Sequence, residues 1–133
     1  MIGLDTNILV RYFTQDEPAQ SRRATRIIES LTEEEPGFIS LVVMVETVWV
    51  LRRVYRLSSK QIAQSIERML QADTFAVQNE QQVFTAMTAL KTGVGSFSDA
   101  LIAALGVWAG CAVTVTFDRE AAKLKGFAPA GFR

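Results

Sequence analysis

Four carboxylates, Asp5, Glu46, Asp99 and Asp118, stand where their neighbours cannot neutralise them. Glu46 lies inside LVVMVETVWVL, and the residues three and four places away on a helix are Val42, Val43, Trp49 and Val50. A buried, unpaired carboxylate is costly. Glu46 is therefore expected to be at least partly buried and to find a partner from elsewhere in the fold. Asp99 has Gly95, Ser96, Ile102 and Ala103 at those offsets, and Asp118 has Ala121 and Ala122 ahead of it, with only the adjacent Arg119 basic. Gathered bare, such acids would repel and raise one another's pKa values, a conflict that a divalent cation resolves. All-oxygen donors select Mg²⁺ or Mn²⁺ over zinc or copper. Mg²⁺ takes few carboxylates together with substrate phosphate oxygens, the inventory of a metal-dependent phosphodiesterase.

The chain has no histidine. Imidazole acid–base catalysis, a Ser-His-Asp triad and any His-containing zinc site are thereby excluded. Each acid also has an ordinary structural use. Asp5 and Asp118 can cap the helices that follow them. Asp99 fits the last position of a capping box begun by Ser96, and Glu46 could meet an arginine across the fold. Singly, these uses account for the caps; four acids at one edge are harder to explain that way.

The elements that must position these acids are legible as pattern. Ile2, Gly3 and Leu4 read as a short buried strand that delivers Asp5 to its C-terminal tip, where ligands bind in open α/β sheets. Thr6 and Asn7 favour the turn, and Ile8 to Phe13 carries the first helix. Asp16, Glu17 and Pro18 start a second helix, striped by Ala24, Ile27, Ile28 and Leu31 and closed by Thr32 to Gly37. Phe38 and Ile39 are a strand, and Ser40 caps a helix from Leu41 to about Arg53. Ser58 and Gln61 have capping-box spacing ahead of Ile62, Ile66, Met69 and Leu70. Thr74 to Val77 is a strand; Asn79 starts a helix striped by Val83, Phe84, Met87 and Leu90. After a loop over Thr92 to Gly95 comes a helix from about Phe97 to Ala109. Ala112 to Phe117 is a buried strand, and Asp118 opens a short last helix.

Strands alternating with helices predict a parallel sheet covered on both faces, a three-layer α/β/α fold with a short central parallel sheet. At 133 residues the chain is expected to form a single domain, residues 1–133. Ala100 to Phe117 carries no charge, but Gly106, Gly110 and Cys111 interrupt it, so no membrane span is expected. The N-terminus lacks the basic segment and apolar core of a signal peptide, and Cys111 is the single cysteine. An internal disulfide framework is excluded, and a cytoplasmic location is expected.

Asp5-Thr6-Asn7 after a short strand, Glu46 followed by Trp49-Val50-Leu51, Ser98-Asp99-Ala100-Leu101 and Thr116-Phe117-Asp118-Arg119 resemble, in order, the four motifs of the PIN-domain nucleases. The resemblance is greatest to the VapC-type toxins of toxin–antitoxin pairs and runs from Ile2 to about Lys125. It implies that Asp5, Glu46, Asp99 and Asp118 are the catalytic, metal-binding quartet. Asp5 and Asp99 are then the surest ligands, with Thr6, Asn7 and Thr116 orienting the acids or a water. It further implies Mg²⁺- or Mn²⁺-dependent cleavage of RNA (tRNA, rRNA or mRNA), leaving a 5′-phosphate and a 3′-hydroxyl. A homodimer and a small antitoxin partner are also implied. Many relatives carry one more acid about three residues before the position of Asp99, where this chain has Ser96.

The charge balance is 14 basic against 14 acidic residues; setting the quartet aside leaves 14 against 10. Arg11, Arg22, Arg23, Arg26, Arg52, Arg53 and Arg56 are candidate phosphate contacts, although cations also favour helix C-termini. Trp49 and Trp108 read as core or dimer-interface residues. Two other functions compete. A haloacid-dehalogenase-type phosphatase needs a second Asp two residues after the first, and Asn7 stands there. A catalytically inactive PIN-like module that binds RNA or a partner would be favoured by loss of a quartet acid, and all are present.

Overall fold

The computed structural model describes residues 1–131. These divide into two compact units, one of Met1–Asn79 and one from Glu80 onward. The expected α/β class is observed: among the described residues six helices alternate with short strands, and every strand pair is parallel, consistent with a three-layer α/β/α fold.

In the first unit the order is β1 (Ile2–Gly3), α1 (Thr6–Thr14), α2 (Pro18–Glu29), β2 (Gly37–Ile39), α3 (Leu41–Arg53), α4 (Ser59–Gln71) and β3 (Phe75–Val77). The sheet order is β1-β2-β3, with Ile2 opposite Gly37 and Gly37 opposite Phe75. Gly37 has a packing reason: a Cβ there would stand 2.7 Å from Leu4 Cδ1 and 2.9 Å from Leu31 Cδ1. The strand therefore lies directly against both leucines. Glu17 caps α2, accepting from the N–H groups of Ala19 and Gln20, with Pro18 at the first helical position. Ser58 and Gln61 complete a reciprocal capping box on α4. The core is built by Leu9, Ile39, Met44, Leu51, Ile62, Ile66 and Met69, all at most 1% exposed.

The second unit holds α5 (Glu80–Lys91), α6 (Phe97–Trp108), β4 (Thr114–Thr116), a single 3-10 turn at Ala121–Lys123 and β5 (Phe127–Pro129). Val83, Ala86, Met87 and Leu90 of α5 and Phe97, Leu101 and Ala103 of α6 are buried. Gly110, at φ +96°, ends the α6 segment in a backbone conformation that glycine adopts without strain. β4 pairs with β5, Thr114 opposite Phe127.

Several expectations need correction. Only Leu4 of the first apolar run is buried; Ile2 is half exposed. The strand read over Ala112 to Phe117 shortens to Thr114–Thr116 and is not buried. Val115 and Phe117 share one face by the two-residue period, and Phe117 is 95% exposed. The helix expected after Asp118 is only a 3-10 turn, and β5 is an additional strand without a signal in the sequence pattern. Asn79 is left-handed at φ +50°, so α5 begins at Glu80. Phe84 faces outward, as do Trp49 and Trp108, which are therefore not core residues. No helix among the described residues is long and apolar enough to cross a membrane.

Candidate metal centre

Asp5 follows β1 and Leu4 and is the N-cap of α1. Its extended backbone, φ −83° and ψ 161°, lets Oδ1 accept from the Thr6 N–H at 2.7 Å. The Thr6 hydroxyl donates to Glu46 Oε2 at 2.8 Å. One threonine thus holds both acids of the first unit, although Glu46 belongs to α3. Neither acid forms an ion pair among the described residues.

Glu46 is exposed, contrary to the expectation of partial burial. The reason is how α3 packs: Met44, Thr47, Val48 and Leu51 turn inward, which leaves Val42, Glu46 and Trp49 on the opposite, exposed side. The partner that Glu46 finds across the fold is a hydroxyl rather than an arginine. Asn7 is exposed, in the first turn of α1, and bonds neither acid.

In the second unit Asp99 is half-buried in the first turn of α6, and its N–H donates to Ser96 Oγ at 3.1 Å. Ser96 caps the helix, but the reciprocal bond, in which the Ser96 N–H would donate to the Asp99 carboxylate, is not formed. The contrast with the complete box at Ser58 and Gln61 is instructive. The Asp99 side chain is not consumed by capping.

Asp118 is consumed in part. Its Oδ1 accepts from the N–H groups of Glu120 at 2.8 Å and Ala121 at 3.2 Å, starting the 3-10 turn. Thr116 Oγ1 accepts from the Asp118 N–H at 3.0 Å, so Thr116 fixes the backbone rather than the carboxylate. Arg119, though adjacent, forms no ion pair with it among the described residues.

Within neither unit do three or more His, Cys, Asp or Glu side chains, among the described residues, close into a ready-made cage. The donor chemistry nevertheless fits a hard divalent ion. Every candidate is a carboxylate, and among the described residues Asp5 Oδ2 and Glu46 Oε1 accept no hydrogen bond and pair with no cation. Mg²⁺ in particular is bound through few carboxylates and keeps waters, so pairs of acids suit it.

Pattern missed one local system. Tyr55, just past α3, donates its hydroxyl to Asp16 Oδ2 at 2.6 Å, while Arg11 Nη1 donates to the Tyr55 oxygen at 3.0 Å and to Asp16 Oδ1 at 3.3 Å. Thr14 also donates to Asp16 at 2.9 Å. The Tyr55 and Thr14 hydroxyls, with a smaller contribution from the Arg11 charge, hold the Asp16 carboxyl below its usual range. Arg11 is thus a braced side chain rather than a free surface cation, unlike the exposed Arg22, Arg23, Arg26, Arg53 and Arg56. Arg52 donates to Ser59 at 2.6 Å. The Tyr55–Asp16 separation of 39 residues leaves no periodic signal by which it could be found.

Compared with known proteins, the chain matches the model of the PIN domain family over residues 2–126. Comparison with curated proteins gives no match.

Proposed function

The chain belongs to the PIN-domain family, and we propose that it is a Mg²⁺- or Mn²⁺-dependent endoribonuclease, the toxin of a VapC-type toxin–antitoxin pair. PIN domains are generally nucleases, hydrolases that use divalent metal ions, and the family supplies the reaction class. The observation that carries the reading on this chain is the Thr6 tie: two acids distant in sequence, without an ion pair among the described residues, held by one residue. In this reading residues 1–133 act as one nuclease domain, because a single family match runs through both units.

Asp5, Glu46, Asp99 and Asp118 are the metal-binding acids of the proposal. When bound, the cation makes a water nucleophilic and offsets charge on the phosphoryl and leaving oxygens. The protein's own part is orientation. The Thr6 N–H fixes Asp5 Oδ1 and its hydroxyl donates to Glu46 Oε2, which leaves Asp5 Oδ2 and Glu46 Oε1 available. Ser96 anchors the α6 start that carries Asp99, and Thr116 anchors the backbone of Asp118. Exposed Val42 and Trp49, and exposed Val107 and Trp108, support faces for a second copy of the chain and for an antitoxin.

The test is cleavage of total RNA by the purified protein with Mn²⁺ or with chelator, alongside Asp5→Asn. Asparagine keeps the capping oxygen and removes the charge, so folding is spared. Cleavage should vanish with chelator and fall about 100-fold or more in the variant. Protein that binds RNA yet never cuts it, with Mn²⁺ in excess, would instead be the inactive binding module.

A further inference from the structure

A groove between α1 and α2 gathers two of the candidate phosphate contacts, Arg11 and Arg23, onto one wall. Its volume is about 210 Å³, below the roughly 300–1,000 Å³ of sites that engulf a whole small molecule, and suited to one unit of a longer chain. Asn7 and Arg11 line it from α1, one helical turn apart; Gln20 and Arg23 line it from α2. Ile8, Ala24 and Ile27 supply its apolar wall, and no carboxylate lines it.

Its polar groups are nearly all donors. Gln20 Oε1 accepts from Arg11 Nε at 2.9 Å, which turns the Gln20 amide toward donation. Arg11 is braced by Asp16 and Tyr55. Arg23 is exposed and forms no ion pair or hydrogen bond with any described residue. A ligand complementary to this wall is an anion rich in acceptor oxygens, carried on a body with an apolar face. A nucleotide unit has both. An acidic peptide has the charge, but position favours the nucleic acid: Asn7 is in the first turn of the helix whose N-cap is Asp5.

We propose that the α1–α2 groove receives a backbone phosphate of the RNA strand beside the scissile bond, with Arg23 as its direct contact and Arg11 as a second cation fixed in place. The proposal rests on the RNA-cleaving reading above. Such a contact positions the strand without reading its sequence.

The experiment measures binding of a short single-stranded RNA in chelator as a function of salt, for the wild-type chain, Arg23→Ala, Arg23→Lys and the charge-matched control Lys60→Ala. Lys60 is exposed on α4 and lies outside the groove. Loss of one phosphate contact to a single strand should reduce the steepness of the fall of log K with log[salt] by about 0.7. Arg23→Ala should show that drop and bind several-fold more weakly, Arg23→Lys should recover the slope, and Lys60→Ala should change it far less. With Mn²⁺, Arg23→Ala should raise KM while kcat stays within about twofold. Equal losses in Arg23→Ala and Lys60→Ala, or none in Arg23→Ala, overturn the groove. So does an unchanged RNA slope with lost binding of a glutamate-rich peptide, which would assign the groove to a protein partner. Wild-type protein that neither binds nor cuts RNA ends both readings; wild-type that cuts RNA with an unaltered Arg23→Ala ends the groove alone.

Discussion

Thr6 Oγ1 lies 2.8 Å from Glu46 Oε2, joining residues 40 positions apart in the chain. The bond links the start of α1 to the exposed side of α3, and Thr6 simultaneously donates its N–H to Asp5. Removing the hydroxyl therefore frees the Glu46 side chain while leaving the Asp5 cap intact.

Thr6→Val should cut the RNA-cleavage rate by about tenfold, the lower end for a hydrogen bond to a charged acceptor, because Glu46 is exposed to water. Thr6→Ser, which restores the donor, should stay within about threefold of wild type. Steady-state cleavage at saturating Mn²⁺, with circular dichroism confirming the fold, measures both.

The Asp16 system makes a prediction in acid. Its carboxyl is held below the ordinary value chiefly by the Tyr55 hydroxyl, then by Thr14, with the Arg11 charge contributing less. A depressed folded-state pKa contributes stability above the unfolded value and loses it as pH falls through the folded one. Thermal unfolding should show wild-type stability declining below about pH 4. Tyr55→Phe should remove part of the advantage seen at neutral pH and flatten that decline. Coincident pH profiles for the two proteins would show the hydroxyl to be energetically silent.

Ser96 offers a gain-of-function test. Aspartate caps helices as well as serine does, so Ser96→Asp should keep the bond from the Asp99 N–H and leave the melting temperature within a few degrees. It also adds a carboxylate three residues before Asp99, on the same face of the helix start. The Mn²⁺ concentration giving half-maximal cleavage should fall several-fold. A rise would mean that repulsion between the two acids outweighs their attraction for the cation.

Local signals carried most of the fold. The α4 box and its stripe were readable because a cap and a helical period lie within a dozen residues, and Ile62, Ile66 and Met69 are indeed buried. The positions of Asp5 after β1, Asp99 in the first turn of α6 and Asp118 after β4 were readable for the same reason. What pattern cannot carry is pairing at a distance. β5 contains Pro129 and is a strand only because β4 lies beside it. The Glu46 hydroxyl partner and the Tyr55–Asp16 bond depend on contacts between separate elements. Ile2, Phe84 and Phe117 face outward despite their apolar pattern, because the rule that places hydrophobic residues inside runs one way only.

The capping oxygens of Asp5 and Asp118 have a consequence for how such a chain can change. In both residues a single oxygen atom already holds the backbone that follows, so the architecture and the proposed chemistry draw on the same carboxyl group. Drift that silenced the proposed nuclease would be tolerated first as a swap of the other oxygen for nitrogen, and only later as loss of the side chain. In descendants of this sequence, an amide at either place would mark a fold that outlived the proposed reaction.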